Sequence, residues 1–154
     1  MTGEGPLFKG EGNVENSMQM TFRAISRNEG FARVCVAAFA TQLDPTVEEI
    51  ADLKTAVSEA VTNAIVHAYP NTEGEVTLRM GICDGLIHIA VEDTGVGIAD
   101  VERAMQPFYT TAARDERSGM GFMVMQTFMD EVRVQSAPGK GTVVTMKKRV
   151  VHNQ

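Results

Sequence analysis

The sequence has little cysteine, no long apolar run and no excess of positive charge. Its two cysteines, Cys35 and Cys83, lie in apolar stretches without CxxC spacing or nearby histidines, which favours buried thiols over a disulfide or a zinc site. No apolar run approaches the ~20 residues that a membrane span needs, and the first residues lack the charged-then-apolar order of a signal peptide. These absences predict a cytoplasmic protein with no membrane partner.

Acidic residues outnumber basic ones by 20 to 14, which gives a formal net charge of −6. An acidic protein is repelled by a phosphate backbone, so we expect no direct nucleic-acid role, although a local basic patch could survive.

A chain of 154 residues, 44% of them hydrophobic, fits one globular domain with its own core. Residues 1–17 contain five glycines or prolines and little apolar periodicity, so we interpret them as a flexible leader or cloning remnant. Residues 18–150 are the predicted domain, and residues 151–154 a frayed tail. No internal repeat is present.

The apolar periodicity of the domain switches between period two and period 3.6. Alternating apolar residues predict a strand from about Met18. Ser26 and Glu29 then have capping-box spacing, ahead of a helix that ends near Leu43. The predicted core face of this helix consists of Phe31, Val34, Cys35 and Ala38.

A second, longer helix is predicted from Asp44-Pro45 to about Ala68. Asp can cap free amides, and Pro lacks the N–H donor that the first turn leaves unused. A hairpin with alternating strands follows, around an Asp84-Gly85 turn. The predicted apolar stripe of the helix is Val47, Ile50, Leu53, Val57, Ala60 or Val61, and Ala64.

The last third of the domain begins with a short predicted helix around Asp100 to Met105. A polar stretch from Gln106 to Ser118 with few apolar residues is expected to be mobile. A helix opened by Gly119-Met120-Gly121 and two strands complete the chain. Because neighbouring strands are antiparallel and do not alternate strictly with helices, we predict the α+β class.

Glu59 and Asn63 are the first candidate site. They are four positions apart on the long helix, so their side chains emerge about 40° apart, beside the apolar stripe. An amide oxygen is a neutral hard ligand for magnesium, and a carboxylate can orient or deprotonate a nucleophile near a terminal phosphate. In most sequences that show this pair alone, a surface Glu and Asn on an amphipathic helix is the better explanation.

The segment Asp93-Thr94-Gly95-Val96-Gly97 follows a predicted strand. Its glycines can take positive φ and let a ligand approach the backbone closely. A carboxylate fixed at the strand end only accepts hydrogen bonds, which matches the exocyclic amine of adenine and rejects the keto oxygen of guanine. A plain Asp-Gly turn explains the segment about as well.

Gly119-Met120-Gly121 precedes an apolar-periodic helix, where free amides and the positive dipole end favour phosphate. A simple loop-to-helix junction is the alternative. Gly141-Thr142 is a weaker signal of the same kind. Arg114 and Arg117 lie in the polar stretch, from which a guanidinium could reach a terminal phosphate or pair with neighbouring carboxylates.

In their order, these motifs resemble the ATPase superfamily shared by gyrase, the heat-shock chaperone ATPases, histidine kinases and mismatch-repair ATPases. The resemblance runs from about Met18 to Lys148 and implies a two-layer sandwich, a mostly antiparallel sheet covered on one face by helices. The stretches SEAVTNAIVHAY, EDTGVGI and ERSGMGFMVMQTFMDEV are similar to the anti-sigma serine kinases, and particularly to the sporulation members that hold sigma F.

That resemblance implies a role for each motif residue. Glu59 would be the general base toward a serine of an anti-anti-sigma protein, Asn63 would hold Mg²⁺, and Asp93 would read the adenine of ATP. Arg117 would contact the terminal phosphate, and Arg33 would face a partner. The other nucleotide-lining positions would be Gly95, Gly97, Thr111, Ser118, Gly119, Met120, Gly121 and Thr142.

The family also implies a homodimer that grips one sigma factor and releases it when the unphosphorylated antagonist binds. The predicted protein is thus both an anti-sigma factor and an ATP-dependent protein serine kinase. Two alternatives stay open: a sigma-binding module tuned by nucleotide without significant turnover, and the related general-stress anti-sigma kinase. Two features argue against a histidine-kinase fragment: the lid-like segment between Asp93 and Gly119 is compact, and no phosphoacceptor-histidine helix precedes the domain.

Overall fold

The computed structural model describes residues 14–106 and 121–150. In this part of the chain, five strands form one antiparallel sheet in the order β1-β2-β3-β5-β4. The strands are β1 (Asn16–Arg23), β2 (Glu75–Cys83), β3 (Leu86–Asp93), β4 (Glu131–Ser136) and β5 (Thr142–Arg149). The helices are α1 (Arg27–Ala40), α2 (Val47–His67), α3 (Val101–Ala104) and α4 (Gly121–Phe128), with a 3₁₀ turn at Thr41–Leu43.

The main hydrophobic core lies between the helices and one face of the sheet. Fully buried side chains from both layers meet there, including Leu53 and Val57 of α2, Ile89 of β3 and Met125 of α4. Burying an aliphatic side chain of this size stabilises the fold by about 1.5–3 kcal/mol. The prediction of an α+β sandwich, with a mostly antiparallel sheet covered on one face by helices, is confirmed.

The β2–β3 hairpin forms as predicted. Cys83 pairs with Leu86, and the two residues between them, Asp84 (φ 53°) and Gly85 (φ 76°), both have positive φ. Two positive φ angles are typical of the two-residue turns whose twist matches that of the strands. The register then places Asp93, the last residue of β3, opposite Val76 of β2 and Thr142 of β5.

Helix α2 begins two residues later than predicted. Thr46 is the cap, because its side chain accepts from the Glu49 N–H (3.0 Å) while the Glu49 carboxylate accepts from the Thr46 N–H (2.9 Å). Asp44 instead ends the preceding 3₁₀ turn in the left-handed conformation (φ 57°), so its assignment as the cap was wrong. Val47 is 87% exposed and lies outside the stripe that faces the core.

Helix α1 turns a different face to the core than the sequence predicted. Phe31 and Val34 are 60% and 57% exposed, and the buried residues are Ala32, Val36, Phe39 and Ala40. Both sets recur at three and four positions, so periodicity alone does not separate them. The predicted capping box also fails, because the Ser26 side chain makes no cap bond.

Strand β1 forms an outer edge of the sheet. Just before β1 begins, the Glu15 N–H donates a hydrogen bond to the Ile82 carbonyl of β2 (2.8 Å). Neither Cys83, which is buried, nor Cys35, which is half-buried, forms a disulfide. No helix within residues 14–106 and 121–150 is long and apolar enough to cross a membrane. The predicted leader and tail boundaries stay predictions, since residues 1–13 and 151–154 lie outside the described residues.

Candidate active site

Glu59 and Asn63 lie one turn apart on α2, both half-buried. Gly121, the first residue of α4, lies directly against them. A methyl group built on Gly121 would stand 3.1 Å from Asn63 Nδ2 and 3.3 Å from Glu59 Oε1. The α4 backbone at Gly121 is therefore packed closely against a carboxylate and an amide, and we call this junction of Glu59, Asn63 and Gly121 the Gly121 cradle.

The Gly121 cradle combines groups of opposite electrostatic character. The first turn of a helix carries N–H groups without intrahelical acceptors and the positive end of the helix dipole, both of which favour an anion. The Asn63 amide oxygen is a neutral acceptor that suits a hard cation. An anionic ligand with a bound cation, such as a nucleotide polyphosphate, satisfies both sets of groups.

Asp93 is the most buried carboxylate among the described residues, with 9% of its surface exposed. Burial raises the pKa of Asp93, and hydrogen bonds from the backbone N–H groups of Gly95 and Thr142 partly oppose the rise. The Gly95 N–H reaches Asp93 Oδ1 at 3.0 Å. Two backbone donors fix the carboxylate at the end of β3 and leave its remaining lone pairs to accept hydrogen bonds from a ligand.

The loop after β3 (residues 94–100, the β3 loop) is packed against other backbone segments. A methyl group on Gly95 would lie 2.0 Å from the Ala68 carbonyl oxygen, and one on Gly97 (φ +78°) would lie 2.0 Å from that of Ala137. The Val96 N–H donates to Ala68 O (2.9 Å), just beyond α2. Backbone packing alone thus requires both glycines, whatever ligand the loop receives.

Two side chains that the sequence analysis did not single out hold the β3 loop in place. The Tyr69 hydroxyl accepts from the Thr94 N–H (2.8 Å) and donates to the Glu75 carbonyl (2.6 Å). Ser136 Oγ accepts from the Ile98 N–H (2.7 Å) and lies 2.8 Å from the Thr142 hydroxyl. No role was predicted for either residue, although Tyr69 is the last residue of the stretch SEAVTNAIVHAY.

The structure places the remaining predicted residues as follows. Thr142, at the start of β5, contributes its N–H to Asp93, whereas Arg33 lies on α1, 3.9 Å from the Glu29 carboxylate. The structure thus gathers Glu59, Asn63 and Gly121 in one place and Asp93, Gly95, Gly97 and Thr142 in another. Thr111, Arg117, Ser118, Gly119 and Met120 lie outside the described residues, so their roles stay predictions.

Comparison with known proteins identifies the class to which this arrangement belongs. Residues 23–148 match the family described as histidine kinase-like ATPase domain. A crystal structure of the RsbU and RsbW domains of a Mycobacterium tuberculosis protein has the same fold, with a TM-score of 0.65 at 19% identity over 90% of this chain and 33% of that one. The chain therefore belongs to the histidine kinase-like ATPase family, which implies that it binds ATP.

Closer relatives share one name. The chain is 61% identical over 139 residues to the anti-sigma F factor of Caldanaerobacter subterraneus subsp. tengcongensis, which covers 90% of this chain and 97% of the relative. It is 53% identical over 142 residues to the anti-sigma F factor of a Geobacillus species, covering 92% of this chain and 97% of the relative. The resemblance to anti-sigma factors inferred from the motifs is thereby confirmed.

Proposed function

We propose that this chain is an anti-sigma factor and an ATP-dependent protein serine kinase. It holds an RNA polymerase sigma factor, sporulation sigma F, and uses Mg-ATP to phosphorylate a serine of its anti-anti-sigma antagonist. The observation that carries the kinase activity is the packing of Gly121 against Glu59 and Asn63. The sigma-binding activity is supported by the similarity to proteins named anti-sigma F factor.

Asp93 is proposed to bind the adenine of ATP. Its carboxylate is held by two backbone N–H groups and accepts hydrogen bonds without donating any while ionised. The exocyclic amine of adenine supplies the matching donor, whereas guanine presents a carbonyl oxygen at that edge. Nucleotide choice then depends on one carboxylate whose orientation is fixed by the β3 loop.

Asn63 fits a role as the protein ligand of Mg²⁺. Its amide oxygen borders the Gly121 cradle, 3.4 Å from the position that a Cβ on Gly121 would take. Mg²⁺ usually takes one or two protein oxygens and completes its shell with phosphates and waters, so a single amide is sufficient. When bound, the ion would neutralise negative charge on the phosphates.

Glu59 is proposed to accept the proton of the substrate hydroxyl. The serine Oγ forms a bond to the γ-phosphorus while the bond from that phosphorus to the bridging oxygen breaks, and ADP leaves with the electron pair. Glu59 Oε1 borders the Gly121 cradle, and this contact supports the proposal of a base beside the terminal phosphate. Arg117 is proposed to stabilise the charge that develops during this transfer.

Helix α1 offers a surface for a protein partner. Phe31 and Val34 are large apolar residues left more than half exposed, and Arg33 lies between them in the sequence. Exposed apolar groups with an arginine are typical of protein–protein contacts. We propose that this surface takes part in binding the sigma factor or the antagonist, and that the chain acts as a homodimer.

Phosphate transfer to a copurified antagonist tests the kinase proposal. Partners recovered from the native cell with the tagged chain are incubated with it and labelled ATP. We expect a labelled serine on the antagonist, and Glu59→Gln to lower kcat at least about 100-fold while ATP affinity is kept. Glu48→Gln, an exposed glutamate in the first turn of the same helix, is the matched control and should retain kcat.

The same experiment separates the alternatives. If no protein serine is labelled and Glu59→Gln binds sigma as tightly as the parent chain, the protein is a nucleotide-tuned binding module. If it captures a general-stress sigma factor and leaves sigma F behind, it is the related general-stress kinase. For the metal site, Asn63→Ala should abolish Mg²⁺-dependent ATP affinity in titration calorimetry, and unchanged affinity would contradict the assignment.

A further inference from the structure

A shallow depression of about 320 Å³ lies between α1 and α2. We call it the α1–α2 depression. Its lining residues are Arg33, Ala51, Lys54, Thr55, Ser58 and Glu59. Glu59 therefore belongs both to the Gly121 cradle and to the lining of this depression.

Lys54 is half-buried in the α1–α2 depression without an ion-pair partner among the residues that the structure describes. Other cations near it are paired. Lys148 lies 3.7 Å from Asp52, and Arg33 lies 3.9 Å from Glu29. Partial removal of an ammonium group from water is unfavourable unless an anion compensates for it. The depression therefore presents a positive charge that an incoming carboxylate could neutralise.

The hydroxyl groups of the depression already have partners. Ser58 donates to the Glu29 carboxylate (2.5 Å), and Thr55 donates to the Ala51 carbonyl of its own helix (3.0 Å). The Glu29 carboxylate accepts from Ser58 and lies 3.9 Å from Arg33, so its negative charge is directed toward these two residues. Among these groups, two donors remain: the Lys54 ammonium and the Nε of Arg33, which is buried without a hydrogen-bond partner among the described residues.

We propose that the α1–α2 depression is the acceptor subsite of the kinase, in which Lys54 pairs with an acidic side chain of the serine-bearing segment of the antagonist. This inference rests on the proposed kinase function. The serine approaches Glu59 from the α1 side, and the terminal phosphate of ATP approaches from the Gly121 side. Glu59 then meets the hydroxyl between the two.

Helix geometry specifies where the acidic residue stands in the substrate. Lys54 and Glu59 are five positions apart on α2, which corresponds to about 7.5 Å along its axis and about 140° around it, so their side chains stand somewhat farther apart than the rise alone. An extended segment advances about 3.3 Å per residue. The acidic residue is therefore expected two or three positions from the target serine.

Charge reversal at Lys54 tests the subsite. With the antagonist that the parent chain phosphorylates, Lys54→Glu should raise the KM for the antagonist about tenfold. The KM for ATP should stay within about twofold, because the Gly121 cradle is untouched, and Lys54→Gln should give a smaller rise of the same kind. Arg133→Gln removes the same charge from an exposed site on β4 and is the matched control. Urea unfolding of each variant checks that it folds.

An antagonist variant supplies the complementary half of the test. Replacing its acidic residue two or three positions from the serine by lysine should slow phosphorylation by the parent chain. Lys54→Glu should restore most of that rate with the exchanged antagonist. An unchanged KM for Lys54→Glu, or no restoration, would overturn the subsite while leaving the kinase proposal intact.

Two other outcomes are distinguishable. If Lys54→Glu weakens sigma binding and leaves antagonist phosphorylation unchanged, the depression binds the sigma factor and the acceptor assignment is wrong. If the parent chain labels no protein serine, the kinase proposal itself fails, and the subsite fails with it.

Discussion

The β3 loop and the outer surface of α1 differ in what determines their sequences. In the β3 loop, a Cβ on Gly95 or Gly97 would lie 2.0 Å from the carbonyl oxygen of a distant segment, a distance that no side chain could tolerate. On α1, Phe31 and Val34 are exposed, and the fold itself would accept many residues in their place. Close backbone contact therefore produces a motif that can be recognised in one sequence, whereas a partner-binding surface does not.

Among the substitutions considered, Gly95→Ala in the β3 loop should have the largest effect on stability and ATP affinity. Gly95→Ala places a methyl group against the Ala68 carbonyl, so the β3 loop must move, and we expect a loss of about 3 kcal/mol in the free energy of unfolding together with most ATP affinity. Urea unfolding and titration calorimetry measure both. Gly139→Ala is the control, because Gly139 has positive φ (+75°) but no atom within 4 Å of a built Cβ.

Gly139→Ala should cost only the conformational penalty of a left-handed alanine, about 1 kcal/mol. Gly95 does not have a positive φ, so a loss at Gly95 no larger than that at Gly139 would mean that close packing against Ala68 does not explain this glycine.

Asp93→Asn should have the next largest effect, on nucleotide choice. Asparagine both accepts and donates, so ATP should lose about tenfold in affinity and GTP less, measured by calorimetry near neutral pH. Asp44→Asn, in the exposed turn between α1 and α2, is the control and should bind ATP as the parent chain does. Equal losses for the two nucleotides would contradict the adenine assignment.

The same substitution makes a prediction about pH. Burial raises the pKa of Asp93 above its ordinary value of 3.8. A raised pKa in the folded chain means that this carboxyl contributes fully to stability below 3.8, and that the contribution is lost as the pH rises through the folded pKa. The stability of the parent chain relative to Asp93→Asn should therefore fall as pH rises from 3.8. A difference independent of pH in urea unfolding would contradict the shift.

Tyr69→Phe should have a smaller effect. It removes the acceptor of the Thr94 N–H and the donor to the Glu75 carbonyl, both at sites with access to water, so we expect a loss of about 1 kcal/mol. ATP affinity should fall severalfold, because the β3 loop is less firmly held. Thr41→Val is the control, because the exposed Thr41 hydroxyl donates to the Ala38 carbonyl at the end of α1 and not to the β3 loop.

Phe31→Ala should have the smallest effect on stability, within about 0.5 kcal/mol, because 60% of Phe31 is already exposed. Phe39→Ala on the same helix is the matched comparison and should cost about 3 kcal/mol, since Phe39 is 7% exposed. Thermal or urea unfolding measures the loss of stability of each variant. A large loss at Phe31 would restore the predicted core face of α1.

Much of the fold could be predicted because the spacing of the apolar residues and the residues at the turns indicate the same elements. The alternation of β2 and β3 and the Asp84-Gly85 turn specify one hairpin register, and that register places Asp93 at the edge of the site. The position of Glu59 and Asn63 beside the stripe of α2 also followed from helical geometry. Their contact with Gly121 did not follow, because it depends on how α4 packs against α2.

Other features depend on tertiary contacts that leave no local signal. On α1 two faces have nearly the same periodicity, and packing against α2 selects the one with Ala32 and Val36. The choice of Thr46 over Asp44 as the cap depends on a left-handed residue at the end of the preceding turn. Tyr69 acts through a hydroxyl whose partners belong to two other segments of the chain.

The contacts of the β3 loop with residues far downstream also affect when, during synthesis, the protein can first bind a nucleotide. The loop contacts Ala137 and Ser136, about 40 positions downstream of Gly97, and contacts between such distant residues form only after the entropy of loop closure is overcome. A nascent chain emerges from its N-terminus, so Thr142, the second donor to Asp93, arrives last. Adenine binding at Asp93, as proposed above, should therefore begin only once Thr142 has been synthesised and has joined the sheet, so shorter nascent chains should not respond to the nucleotide pool.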